Sequence, residues 1–160
     1  RAVLPLDRFH VPRRLDRTDR QSRFEVRFDS AFSEVIRACA TGPGRIGQTW
    51  ITEDMIDAYA RLHALGHAHS VEVLREGQLV GGLYGVAVGG AFSAESMFYR
   101  ERDASKIAIV HLVRRLKERG FTLLDVQQYS NHLKQFGAVE IPRKKYLALL
   151  AETIRHKVHF

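Results

Sequence analysis

The stretch His69–Lys106, HSVEVLREGQLVGGLYGVAVGGAFSAESMFYRERDASK, predicts the central part of the fold. It holds two apolar runs typical of strands, Ser70–Leu74 and Leu79–Val88, which are separated by a turn that contains Gly77. After two glycines comes a third, shorter run, Ala91–Ala94. The pattern therefore predicts a strand meander.

Three side chains of different chemistry follow the third run directly: Glu95, Ser96 and Met97. We expect Asp103 to cap a helix whose apolar face begins at Ala104. An acidic and a soft apolar side chain, placed where strands end and a helix begins, suit the rim of a binding site. A generic meander can have the same pattern, so the spacing alone leaves both interpretations open.

Length and composition indicate one soluble domain with a real core. The chain has 160 residues, of which 45% are hydrophobic and 27% charged. It has no apolar run long enough to span a membrane. The single cysteine, Cys39, shares a helical face with Phe32, Val35 and Ile36, which predicts a buried thiol rather than a nucleophile. One cysteine also fits a reducing cytosol.

The charge of the chain is concentrated at its start. The net charge is +7, and eight arginines fall before residue 28 against four acidic residues. Arginines at such spacing can contact successive phosphates, so the pattern favours a nucleic acid as partner. A solvated basic face without a ligand is the alternative. The segment Arg13–Arg20, which is rich in arginine, is predicted to form a short helix, because Pro12 before it suits the first turn of a helix.

The segment before the meander predicts one strand and two helices. Phe24–Phe28 alternates as a half-buried strand does, and Asp29 or Ser30 is expected to cap the helix that follows. Thr52 is expected to cap the next helix, which Gly66 ends.

Two other features of this segment, a glycine-rich stretch and a pair of histidines, have some of the character of ligand sites. Gly42–Gly47 matches G-x-G-x-x-G, but a helix precedes it and a proline interrupts it, so we interpret it as a loop. His63 and His67 are separated by the helix terminator, which argues against a zinc site. Trp50 is a core anchor by default and a pocket wall by hypothesis.

The second half predicts a helix over Ala104–Arg119, a buried strand over Phe121–Gln127 and a short helix over Asn131–Phe136. A last helix begins at Pro142 with a stripe of four apolar side chains, Tyr146, Leu147, Leu150 and Ile154. This order of elements resembles an acyltransferase-type α/β (α+β) layout, with a mixed, mainly antiparallel sheet flanked by helices.

The buried strand carries two polar residues, Asp125 and Gln127. A carboxylate inside an apolar strand is costly unless it is hydrogen-bonded or used. Because side chains alternate along a strand, both residues should face the same way and Val126 should face away. They could engage one substrate, or Asp125 could simply accept backbone N–H groups at a strand end.

Several motifs together resemble the leucyl/phenylalanyl-tRNA–protein transferase family, in order and over nearly the whole chain. They are Gln48–Thr52, Leu65–Val73, Gly81–Gly85, Glu95–Phe98, Asp103–Lys106, Asp125-x-Gln127, His132–Leu133, Gly137–Ala138 and Ile141–Arg143. The resemblance implies transfer of leucine or phenylalanine, and methionine less well, from its tRNA to proteins that begin with Arg or Lys. The new residue marks those proteins for degradation.

The resemblance also implies an acetyltransferase (GNAT)-like fold without acetyl-CoA or any other cofactor. The Gln/Arg-x-x-Gly-x-Gly/Ala loop that would hold a pyrophosphate is missing before Asp103. By resemblance, residues 1–28 form a basic segment that contacts tRNA, left from an amino-terminal subdomain that this chain lacks, and residues 29–160 form the transfer domain. A cytoplasmic monomer is expected.

The same resemblance assigns roles to individual residues. Gln127 contacts the attacking α-amino group and helps to relay its proton, while Asp125 polarises or positions that group. Glu95 holds the cationic acceptor residue, and Ser96 lies beside it. The remaining residues form two sets. The pocket for the transferred side chain is lined by Leu83, Met97, Trp50 and Leu112, and the phosphates of tRNA contact Arg13, Arg14, Arg17, Arg20 and Arg23. An inactive tRNA-binding fragment and a small-molecule N-acetyltransferase are the alternatives.

Overall fold

The sheet of this protein has seven strands, and its helices cover both faces. The computed structural model describes residues 1–42 and 49–160. The strands are β1 (Ala2–Val3), β2 (Glu25–Phe28), β3 (Ala68–Arg75), β4 (Gln78–Val88), β5 (Ala91–Tyr99), β6 (Leu123–Gln127) and β7 (Val139–Glu140). The helices are α1 (Arg13–Arg20), α2 (Phe32–Thr41), α3 (Glu53–Ala64), α4 (Ala104–Glu118), α5 (Asn131–Lys134) and α6 (Arg143–Thr153).

The strands are ordered β2-β3-β4-β5-β6-β1-β7 in the sheet. All neighbours run antiparallel except β5 and β6, which are parallel. The expected mixed, mainly antiparallel sheet flanked by helices is therefore confirmed. Both strands of residues 1–28 take part in it, β2 at one edge and β1 between β6 and β7.

The strand β5 is longer than the sequence predicted, and it is irregular. It continues past Ala94 to Tyr99, so that Glu95–Met97 lie within the strand rather than after it. Its pairing with β4 shifts by one residue, from Tyr84↔Ser96 to Gly85↔Ala94, which leaves Glu95 as a bulge. The sequence could not predict this shift, because pairing register is a property of two strands.

The strands β5 and β6 pair over a short length and then part. Among the described residues, their pairing covers Ala91–Ser93 against Leu123–Asp125. Beyond it, β5 follows β4 while β6 ends at Gln127. The gap between the two strands is where the cavity described below lies.

Each face of the sheet has its own layer of helices. The apolar face of α4 packs on one face with Leu83 and Leu124. The helices α2 and α3 pack on the other face, around Tyr84 and the fully buried Cys39, which confirms that this thiol belongs to the core. The helix α6 lies over Leu123, also on that second face.

The helix α4 packs closely against both the sheet and α1. A Cβ atom on Gly81 of β4 would lie 2.6 Å from the Cβ of Ala104. Asp19 of α1 accepts hydrogen bonds from His111 at 2.8 Å and Arg114 at 2.6 Å on α4. Burial raises the pKa of Asp19, but these two cationic partners outweigh burial and hold that pKa below its ordinary value of 3.8.

Of three predicted helix caps, Thr52 is confirmed, Asp103 is confirmed in position but not in its capping hydrogen bond, and Asp29 or Ser30 is wrong. The Thr52 hydroxyl accepts from the Met55 amide at the start of α3. Asp103 precedes α4 as expected, but it adopts a left-handed φ of 69° and its carboxylate binds Lys106 at 2.8 Å instead of the helix amides. Ala31, not Asp29 or Ser30, precedes α2, because the Asp29 carboxylate accepts from the Ser70 amide and binds His69.

Other expectations for the helices are met in part. The helix α1 has the predicted bounds, whereas α5 ends at Lys134 rather than Phe136. Leu147 and Ile154 of the last stripe are exposed, so the apolar face of α6 is narrower than predicted. The interpretation of Gly42–Gly47 as a loop falls mostly on residues 43–48, which lie outside the described residues.

Neither a membrane span nor a metal centre is found in the described parts of the chain. None of their helices combines the length and apolar character needed to cross a bilayer. No cluster of three or more His, Cys, Asp or Glu side chains there could hold a metal ion.

Candidate active site

A cavity of about 340 Å³ opens where β5 and β6 part. Seven of the residues predicted from the sequence line it: Trp50, Leu83, Glu95, Ser96, Met97, Leu112 and Gln127. Eight further residues of the described ranges also line it: Leu4, Ala94, Ile109, Leu124, Val126, Gln128, Ser130 and Leu133. The candidate pocket residues are thus brought together from β4, β5, α4, β6 and the segment before α3.

Most of the cavity wall is apolar. Leu83 and Leu112 are almost fully buried, which fixes their positions, while Met97 is partly exposed on the strand between them and the opening. Trp50 is 48% exposed and lines the cavity, so its default assignment to the core is wrong and its assignment to the pocket wall is the one observed. A large apolar side chain of a ligand could be buried in this wall.

The polar end of the cavity is formed by Glu95 and Gln127. The Gln127 Nε2 donates to Glu95 Oε2 at 2.8 Å and to the carbonyl oxygen of Ala94 at 3.2 Å. Because both partners are acceptors, the amide orientation of Gln127 is fixed, and Oε1 is the acceptor that it can offer to the cavity. The bulge at Glu95 brings the carboxylate to this place.

A second residue, Tyr59, also binds Glu95. The Tyr59 hydroxyl of α3 donates to the carboxylate. Burial, with a smaller contribution from the negative charge of Glu95, raises the pKa of Tyr59 to about 12. The phenol therefore stays protonated and remains a donor at neutral pH.

Asp125 lies beneath the cavity and does not line it. Val126 does line it, so the expectation that Asp125 and Gln127 face the same way, with Val126 turned away, is wrong. Gln127 has a left-handed φ of 62°, which breaks the alternation of the strand. A positive φ at a residue other than glycine is rare, and no feature of the sequence predicts one at Gln127.

The Asp125 carboxylate is 2% exposed and is bound by four donors. It accepts from the Gln127 backbone amide at 2.7 Å, from the Tyr146 hydroxyl at 2.7 Å, and from Nε and Nη2 of Arg1 at 2.9–3.0 Å. The expected hydrogen bond to a backbone N–H at the strand end is thus present, together with a buried ion pair.

Arg1 and Tyr146 are affected in turn by this carboxylate. Burial lowers the pKa of the Arg1 guanidinium, but the hydrogen bond and the charge of Asp125 outweigh burial and raise that pKa above its ordinary value. Burial, followed by the Asp125 hydrogen bond, raises the pKa of Tyr146 to about 12. Both groups therefore remain donors to Asp125 at neutral pH.

Sequence reasoning assigned no role in the site to Arg1, Tyr59 or Tyr146. Each lies far along the chain from the residue that it binds, and Tyr146 was counted only as part of an apolar stripe. The one available signal was Asp125 itself, because a carboxylate in an apolar strand demands cationic or hydrogen-bonding partners.

The five predicted phosphate-binding arginines are exposed on α1 and in the turn after it. Arg20 pairs with Asp16 at 2.9 Å, and Arg14 lies 3.8 Å from Asp103. In the part of the chain that the structure describes, Arg13, Arg17 and Arg23 have no carboxylate within ion-pair distance. Leu15 anchors the helix in the core, which leaves the arginines facing solvent.

Comparison with known proteins gives a family match over nearly the whole chain. Residues 3–151 match the family described as leucyl/phenylalanyl-tRNA protein transferase. A protein of that name from Phenylobacterium zucineum is 59% identical over 147 residues, covering 91% of this chain and 66% of the relative. Another from Paramagnetospirillum magneticum is 52% identical over 160 residues, covering all of this chain and 77% of the relative.

Solved structures share the fold at low sequence identity. L-PGS from Bacillus licheniformis superposes with a TM-score of 0.60 at 15% identity, covering 98% of this chain and 65% of that one. A predicted acetyltransferase from Clostridium acetobutylicum, solved with acetyl-CoA, gives 0.58 at 11% identity, covering 75% and 92%. These likenesses show the fold alone, and they confirm the expected acetyltransferase-like layout.

Proposed function

Because the chain belongs to the leucyl/phenylalanyl-tRNA protein transferase family, we propose that it transfers leucine or phenylalanine, and methionine less well, from aminoacyl-tRNA to proteins. The acceptor is the α-amino group of a protein that begins with Arg or Lys, and the new residue marks that protein for degradation. The protein acts as a monomer in the cytoplasm. The chain spans only part of the length of its relatives, so activity, substrates and partners are inferred for this portion.

The observation that carries this proposal is the pairing of an apolar wall with a fixed amide. The transferred side chain lies against Leu83, Met97 and Leu112, and Trp50 covers it at the opening. Leucine, phenylalanine and methionine fit such a wall by apolar area, whereas β-branched side chains fit its shape less well. The ester carbonyl then lies at the polar end, near Gln127.

Aminolysis of an ester needs alignment more than it needs a covalent intermediate. The amine nitrogen bonds to the ester carbonyl carbon, the bond from that carbon to the ribose oxygen breaks, and the amine proton ends on the released ribose hydroxyl. Gln127 Oε1 accepts a hydrogen bond from the attacking amine and holds its lone pair toward the carbonyl. An amide is a poor base, so we assign Gln127 to positioning and to relaying the proton.

Glu95 is the acceptor-binding group in this proposal. Its carboxylate already binds Gln127 and Tyr59, and it also lines the cavity, where its negative charge suits the cation of an amino-terminal Arg or Lys. A charge-assisted hydrogen bond to that cation would bring the neighbouring α-amino group within reach of Gln127. Ser96 lies next to Glu95 in the cavity wall.

The exposed arginines of α1 and Arg23 bind tRNA through its phosphates, independent of base sequence. Their exposure on a helix that packs on α4 supports this role. This binding is part of the same proposed function, because the tRNA must deliver its aminoacyl ester to the cavity.

Small-molecule acetylation is the competing activity, and one residue argues against it. Asp103 stands at the N-terminus of α4, where its side chain is 12% exposed and held by Lys106. A helix N-terminus favours anions, but a resident carboxylate repels the pyrophosphate of acetyl-CoA.

The proposal is tested by transfer of labelled leucine from Leu-tRNA to a peptide that begins with Arg. We expect transfer by the wild type and a large loss in the variant that combines Asp125→Ala and Gln127→Ala. Salt-sensitive tRNA binding without transfer would overturn the enzyme in favour of a tRNA-binding module. Acetylation of the same peptide from acetyl-CoA would overturn it in favour of an acetyltransferase.

A further inference from the structure

The Asp125 carboxylate has no room for a substrate. Its two oxygens are taken by Arg1, Tyr146 and the Gln127 amide, and the side chain is 3% exposed. A carboxylate offers about four lone-pair positions, and the contacts at 2.7–3.0 Å occupy both oxygens. Asp125 therefore acts on neighbouring protein groups rather than on the amine.

The group that it acts on is the backbone of Gln127. This residue has a φ of 62°, in the region that residues other than glycine and asparagine seldom occupy. Its amide donates to Asp125 Oδ1 at 2.7 Å, a short bond to a charged acceptor. The left-handed conformation is what turns the Gln127 side chain toward Glu95 and Ala94.

We infer that Tyr146 and Arg1 are positioning residues for transfer, because they hold the Asp125 carboxylate that fixes Gln127 in its left-handed conformation. Tyr146 comes from α6, and Arg1 directly precedes β1. Two residues outside the cavity therefore set the direction of the Gln127 side-chain amide inside it. The inference rests on the proposed function, since it concerns the same Gln127. It adds two residues that touch neither substrate.

The variant Tyr146→Phe removes one hydrogen bond and keeps the ring against its apolar neighbours. We expect kcat for leucine transfer to fall at least about 10-fold, which matches the loss of one bond to a charged acceptor. KM for Leu-tRNA and for the acceptor peptide should stay within about twofold, because Tyr146 lies outside the cavity. The matched control is Tyr99→Phe, which removes a hydroxyl from a side chain that is 59% exposed.

A double-mutant cycle separates positioning from general stability. In a Gln127→Ala background the side-chain amide that Tyr146 positions is gone. Tyr146→Phe should therefore lower kcat no further. An equal fold-loss in both backgrounds would overturn the inference, because a merely structural effect adds to the loss of Gln127. Unchanged kcat in the single variant would overturn it as well.

A measurement without tRNA keeps this inference distinct from the proposed function. Hydrogen exchange of the Gln127 amide, followed by nuclear magnetic resonance, reports directly on its bond to Asp125. We expect Tyr146→Phe to speed that exchange at least about 10-fold, while the Leu4 amide, bound to the Leu124 carbonyl, keeps its rate.

The two failures can therefore be told apart. Unchanged exchange at Gln127 in Tyr146→Phe overturns the positioning role, whether or not the protein transfers leucine. Absence of transfer by the wild type, with exchange at Gln127 faster in the variant, overturns the function and the transfer role while the structural link from Tyr146 to Gln127 stands.

Discussion

Substitution of Glu95 by Gln separates the contact with Gln127, which is observed, from the recognition of the acceptor cation, which is proposed. The carboxylate accepts from Gln127 Nε2 and from the Tyr59 hydroxyl, and it faces the cavity where the cation of the acceptor is proposed to lie. A glutamine at this position keeps one carbonyl oxygen for Gln127 and loses the negative charge. Cation recognition should therefore fail while the orientation of Gln127 is kept.

The expected size of the effect comes from the hydrogen bond to the cation. A bond between charged groups contributes about 1.5–3 kcal/mol, which corresponds to roughly 10- to 150-fold in kcat/KM. The loss should fall on peptides that begin with Arg. A peptide that begins with citrulline has the shape of Arg without its charge, so its kcat/KM should change by less than about threefold, provided that one acceptor oxygen still holds Gln127.

The assay compares leucine transfer to these two peptides by the wild type, by Glu95→Gln and by the control Glu53→Gln. Glu53 is an exposed glutamate on α3 that pairs with Arg37 at 3.1 Å. The wild type and the control should prefer Arg to citrulline by the same factor, and Glu95→Gln should lose that preference. A full preference for Arg in Glu95→Gln would refute the assignment of the cation to Glu95.

The basic helix, a strand glycine and a buried carboxylate each give a further prediction. Replacing Arg13 and Arg17 with Ala should weaken binding of all tRNAs alike and lower the slope of log affinity against log salt by roughly 1–2, measured by filter binding with Arg61→Ala as control. Gly81→Ala should lower the free energy of unfolding by about 1–3 kcal/mol, because the new Cβ meets α4, and an unchanged urea midpoint would contradict this. Asp19→Asn should have a smaller free energy of unfolding than the wild type at about pH 7, measured by urea denaturation. This difference should shrink as the pH falls below 3.8, because the wild type loses the stabilisation as Asp19 is protonated at its lowered folded-state pKa. A difference that persists undiminished at about pH 2 would speak against it.

Local signals in the sequence predicted the helices and pointed to Glu95, Met97 and Gln127, whereas Leu83 and Leu112 were assigned to the cavity by the family resemblance. Thr52 caps α3 because its hydroxyl lies beside the first unpaired amides of the helix and accepts from Met55. Asp29 and Asp103 look the same in sequence, but each carboxylate binds a side chain that the fold brings close, His69 in one case and Lys106 in the other. An N-cap can thus be predicted from the sequence only where the fold brings no competing hydrogen-bond partner to the capping side chain.

The arrangement within the site could not be predicted, because it depends on pairing and on backbone strain. The shift in register that makes Glu95 a bulge arises between β4 and β5, and neither strand specifies it alone. The left-handed φ of Gln127 turns its side chain into the cavity beside Val126, so that it does not share a face with Asp125. The partners of Asp125 are separated from it by 124 and 21 residues, a distance that no motif spans.

The position of β1 has a consequence for the order in which the chain folds. This strand precedes every other described strand in the sequence, yet its neighbours in the sheet are β6 and β7, so Ala2 pairs with Gln127 and with Glu140. The hairpins of β3, β4 and β5 need only local contacts and can form while synthesis continues, whereas β1 must wait until β6 and β7 have left the ribosome. A nascent or prematurely terminated chain can therefore build most of the sheet and still lack the ion pair beneath Gln127. The support beneath Gln127 therefore forms in one step, when β1 pairs with β6 and β7, rather than growing with chain length.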